Sequence, residues 1–135
     1  MTGFFHDKPS ALPVYREALD RSLEHLSAER PRPTVWVTGM LFREDFHGLT
    51  LDSPWLRALA ADFARRAHSQ SREEPLRLKE WLHLSFAYNF APEHGPGLEH
   101  LAREQIDPFA PTGWELRLYE RTADGWEAHA TWPIN

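Results

Sequence analysis

The chain has 135 residues, 41% of them apolar and 13% aromatic, which suits one domain with one core and is too apolar for disorder. A net charge of -5 argues against a general duplex-DNA binder, because phosphate binding rests on clustered lysine and arginine. There is no cysteine, hence no disulfide, no thiolate nucleophile and no cysteine-based zinc site, as fits a cytoplasmic protein.

The N-terminal "MTGFFHDKPSALP" lacks the basic and apolar regions of a signal peptide, and no apolar run approaches the ~20 residues of a membrane span. Residues 1–12 read as an irregular segment whose Phe4 and Phe5 dock on the body. A helix follows from Pro13 to Glu29, with Val14, Ala18, Leu19, Leu23 and Leu26 at helical spacing and "PRP" at 31–33 as its stop. "TVWVTGMLF", 34–42, is β-branched and nearly all apolar, the pattern of a strand buried on both faces. "REDFHGLTLDSP" reads as a loop with a short strand at Leu49–Leu51. Ser53 and Pro54 form an N-cap and first-turn pair, which opens a second helix through "WLRALAADFARRAHS".

After the polar "QSREEP", a long strand "LRLKEWLHLSFAYNF" is expected from Leu76. "APEHGPG" breaks it and "LEHLAREQI" forms a third helix. The C-terminal part reads as a hairpin: "WELRLYER", then "TADG" with Asp124-Gly125 supplying positive φ, then "WEAHATWPI". The whole predicts one α+β domain over 1–135, with about four mainly antiparallel strands, two to three helices packed on the sheet and a C-terminal β-hairpin.

Of eight histidines, three head a His-x-Ser/Thr triplet: His25, His83 and His129. About one such triplet is expected by chance, so context must sort them. His25 lies in the first helix, where residues two apart diverge. His83 and His129 lie in expected strands, where residues two apart share a face; His83 then aims with Ser85, and His129 with Thr131. An imidazole can move a proton at neutral pH, and a neighbouring hydroxyl can hold a phosphate oxygen. Two facing units would supply a base, an acid and two oxygen-holding groups, which suits attack on a cyclic phosphodiester. The alternative is that each is a strand histidine hydrogen-bonded to its neighbours.

"LHLSFAYNF" resembles the second motif of the 2H phosphoesterases, His-x-Thr/Ser-hydrophobic, and "YREALDRSLEHL…TVWVTGML" resembles the lead-in to the first. The resemblance covers about half the chain. It implies metal-independent hydrolysis of a 2',3'-cyclic phosphate or a related nucleotide phosphodiester, with no cofactor. His83 would be the acid or base, Ser85 would hold a phosphate oxygen, and His129 with Thr131 would form the partner pair. The sequence departs from the family at Trp36, which stands where the first histidine belongs and cannot exchange a proton, although Thr38 matches the family's hydroxyl. A second reading therefore stands beside the first: a non-catalytic ligand-binding or protein-interaction domain with His83 as a structural residue.

Arg77 and Lys79 are expected on the His83 side of the same strand, where they could support an anion site. "PEHGPGLEH" gathers Glu93, His94, Glu99 and His100, but a metal needs three or four convergent ligands and a surface loop is the simpler reading. The implied partner is a small nucleotide or RNA end, not duplex DNA or a membrane. Acidic charge and apolar strands would also fit a homodimer.

Overall fold

In the computed structural model, residues 2–29 and 33–134 are described. Among the described residues the fold is α+β: three α-helices and five strands, all strand pairings antiparallel, in two sheets. The contacts divide the chain into two compact units. One comprises Met1–Thr34, Pro54–Lys79 and Thr112–Asn135; the other comprises Val35–Ser53 and Glu80–Pro111. No described helix is long and apolar enough to cross a membrane.

The first unit is built on α1 (Leu12–Glu29) and α2 (Pro54–Arg66), which pack together. The buried stripe of α1 is Tyr15, Ala18, Leu19, Ser22 and Leu26; Ala18, Leu19 and Leu26 are buried as expected, while Val14 is exposed and Leu23 half-buried. A purely apolar reading passed over Tyr15 and Ser22 because both are polar. Burial is tolerated because their hydroxyls are bonded: Ser22 donates to the Ala18 carbonyl at 2.8 Å, and Tyr15 donates to Asp7. The expected stop at "PRP" falls partly outside the described residues, since Pro31 and Arg32 are not among them.

Helix α2 starts at Pro54, as the Ser-Pro pair predicts, and buries Trp55, Leu56, Leu59, Ala60 and Phe63. It ends at Arg66 rather than running on to Ser69, and Ser69 and Ser71 instead serve the N-terminal segment. Phe5 packs on Tyr15 with ring centroids 4.8 Å apart, the docking foreseen for it; Phe4 stacks on Trp126 at 5.4 Å while staying largely exposed. Arg72 donates to the Tyr15 hydroxyl at 2.9 Å, and Ser71 donates to Asp7.

Burial alone would raise the Asp7 carboxyl. Hydrogen bonds from Ser69, Ser71, Tyr15 and the Lys8 amide outweigh it and hold the group well below the usual carboxylate range. A carboxyl depressed in the folded state stabilises the fold above its unfolded pKa, and that contribution is lost as pH falls through the folded value. Asp7→Asn is therefore expected to flatten the acid limb of the stability curve below about pH 4, read as unfolding midpoints across an acid titration. Parallel acid limbs for the two proteins would refute the assignment.

The same unit carries the C-terminal hairpin, β4 (Trp114–Thr122) and β5 (Gly125–Ile134), with Gly125 at φ +138° at the turn. The Trp132 indole donates to Asp20 of α1 at 2.8 Å, which ties hairpin to helix.

The second unit holds a three-stranded sheet in the order β1 (Trp36–Phe42), β2 (Phe46–Asp52), β3 (Leu82–Tyr88), followed by α3 (Gly95–Gln105). Three expectations fail here. Strand β1, read as buried on both faces, is an edge strand with no fully buried residue. Residues 46–52, expected to be mostly loop, form a full seven-residue central strand; alternation in "FHGLTLD" was masked by its histidine and glycine. And β3 begins at Leu82, not Leu76. The residues before it pair elsewhere: Thr2 bridges Leu78, and the Gly3 amide donates to the Arg77 carbonyl at 2.8 Å.

Candidate functional site on the three-stranded sheet

Register determines which side chains share a face. Thr50 of β2 lies opposite His83 of β3, and Gly48 lies opposite Ser85. Residues directly opposite in an antiparallel pair point the same way, with Cβ atoms about 5 Å apart, so His83, Ser85 and Thr50 project from one face. On the other side of β2, Trp36 pairs with Asp52 and a bulge falls between Val37 and Gly39. The Thr38 hydroxyl sits 2.7 Å from that of Thr50, and Thr50 also donates to the Gly39 carbonyl at 3.2 Å. A row of hydroxyls thus runs from β1 across β2 towards the imidazole.

Aromatic rings fix that imidazole. Trp81 stacks on His83 with centroids 4.1 Å apart and planes 23° from parallel. Phe46 meets the same ring edge-on at 5.3 Å and also meets Trp81 edge-on at 5.9 Å. The Arg43 guanidinium, from the β1–β2 turn, lies 5.6 Å from the Trp81 centroid. Phe46 can lie across the sheet because residue 48 is glycine: a Cβ there would come within 2.6 Å of the Phe46 ring and 2.4 Å of the Leu84 carbonyl oxygen.

Arg77, Lys79, His129 and Thr131 belong to the first unit. Arg77 and Lys79 belong to the first unit and precede β3, so the shared-strand argument for them fails; Arg77 instead lies 3.7 Å from Glu74. His129 is on β5 in the first unit, a different sheet from His83. A bulge leaves His129 without a register partner. Its Nε2 is 2.7 Å from the Glu120 carboxylate, while Thr131 pairs with Arg117 on the exposed side. The bulge therefore breaks the alternation that would have set His129 and Thr131 side by side. Trp36, at the position of the expected first histidine, is 49% exposed and projects from the His83 face.

Sequence reasoning missed Thr50, hidden in the supposed loop; Trp81, expected inside the long strand, lies just before β3 with 41% of its surface exposed. In the "PEHGPGLEH" segment, Glu99 is bonded to Arg103 and His100 lies 3.3 Å from Glu104. Among the described residues no group of three or more acidic or histidine side chains could hold a metal ion. His47 is buried on the opposite face, edge-on to Phe42 at 5.0 Å and against Phe90 at 4.6 Å; its burial suits packing.

A histidine beside hydroxyls, walled by aromatics and with an arginine at hand, is an arrangement that could hold a phosphate ester and move one proton. No family model matches the chain and no solved structure matches it. It is similar to ubiquitin-associated and SH3 domain-containing protein B of Mus musculus and of Homo sapiens, each 29% identical over 125 residues. The matched region covers 87% of this chain, and the chain spans only 18% of those relatives.

Proposed function

We propose that the His83 face is the site of a metal-independent phosphoesterase of the 2H type, acting on 2',3'-cyclic phosphates or related nucleotide phosphodiesters in the cytoplasm. The observation that carries it is the register of His83 opposite Thr50, whose hydroxyl meets that of Thr38. In the reaction a water oxygen bonds to phosphorus, one ribose P–O bond breaks and the leaving oxygen gains a proton. His83 takes the proton from water or delivers the one to the leaving oxygen. Ser85, Thr50 and Thr38 hold the non-bridging oxygens.

The test is hydrolysis of a panel of 2',3'-cyclic nucleotides and short 2'-5' oligonucleotides without added metal. Turnover supports the reading, and a folded protein that turns over none of them refutes it.

A second reading is favoured by Trp36: the face is a degenerate site that binds without hydrolysing. Nucleotide binding without turnover is its expected signature.

A further inference from the structure

We infer that Trp81 and Arg43 form a base-binding clamp beside His83, so that the ligand is a nucleotide held by its base as well as its phosphate. The inference rests on the phosphate-ester reading of the same face and adds to it the part of the ligand that the hydroxyl row does not explain. Trp81 precedes β3, and His83 and Phe46 fix its orientation. With His83 on one face and the Arg43 guanidinium over the ring, part of the indole remains exposed. A large aromatic fixed in place yet 41% open is a stacking platform that costs little ordering entropy to use.

The Arg43 guanidinium, 5.6 Å from the indole centre, is the second layer. It comes from an exposed turn and can shift outward to lie on a planar ring stacked on Trp81, as guanidinium planes do with unstacked bases. The orientation follows from charge. Glu44 and Asp45 follow Arg43 in the turn and disfavour a phosphate there, which leaves the phosphate to His83, Ser85, Thr50 and Thr38.

The experiment is calorimetric binding of a nucleoside 2'-monophosphate and, separately, of ribose 5-phosphate, which lacks the base. It is run on the full chain and on the Trp81→Ala, Trp81→Phe and Arg43→Ala proteins. Expected for the wild type is nucleotide binding about 10- to 100-fold tighter than sugar phosphate binding, the scale of one stacked base. Trp81→Ala should abolish that advantage, Trp81→Phe should keep most of it and Arg43→Ala should lose part; the advantage is read as the ratio of the two affinities within each protein, and far-UV circular dichroism reports an intact fold. If Trp81→Ala kept the full advantage, the clamp would be wrong and the phosphate site would stand. If the wild type bound neither ligand, the phosphate-ester reading would fall and the clamp with it.

Discussion

Replacing His83 by alanine is expected to lower turnover of a 2',3'-cyclic nucleotide by about 10²- to 10⁴-fold, the usual worth of one positioned acid or base. The fold should survive. His83 is half-buried, and its removal forfeits one stacked and one edge-on ring contact, of order 1 kcal/mol each. His83→Asn keeps a polar group at the site but no proton-transfer group at neutral pH, so it should be as inactive as the alanine variant and nearer the wild type in stability. An active His83→Asn protein would remove His83 from the chemistry and leave it a packing residue.

The largest effect on stability is expected at Gly48. An alanine Cβ would sit 2.4 Å from the Leu84 carbonyl oxygen and 2.6 Å from the Phe46 ring. The ring could turn aside, but the carbonyl belongs to the neighbouring strand and can move only if β2 and β3 separate. Overpacking of this kind costs about 1–3 kcal/mol, occasionally more, and a backbone clash belongs at the upper end. Gly48 also lies opposite Ser85, so any turnover should fall together with stability. Gly97 is the contrasting position: it lies inside α3 with nothing within 4 Å of its Cβ, and Gly97→Ala should stabilise by about 0.5–1 kcal/mol through helix propensity. Urea unfolding midpoints of the two variants should therefore move in opposite directions. A Gly48→Ala midpoint equal to the wild type would refute the close-approach account.

Much of the architecture was legible because it depends on local pattern. Alternation and Asp124-Gly125 marked the C-terminal hairpin, and Ser53-Pro54 marked the start of α2. The 3.6-residue period marked α1, although its buried face is turned towards Tyr15 and Ser22. Reading failed where a polar residue does apolar work. Tyr15 was passed over because its hydroxyl partners, Asp7 and Arg72, lie 8 and 57 residues away in sequence. The central strand β2 was passed over because His47 and Gly48 sit where its alternation would show.

What the sequence by itself determined is the α+β class, the hairpin and the side-by-side projection of His83 and Ser85, since each follows from the periodicity of a single segment. Only tertiary structure decided which groups stand beside them. Thr50 and Thr38 reach the site through strand register. Arg77 and Lys79 are not on β3, because residues 2 and 3 pair with 78 and 77 ahead of it, and His129 parts from Thr131 at a bulge. Register, bulges and pairing partners are set by contacts between distant segments, whose energies no single stretch of chain contains.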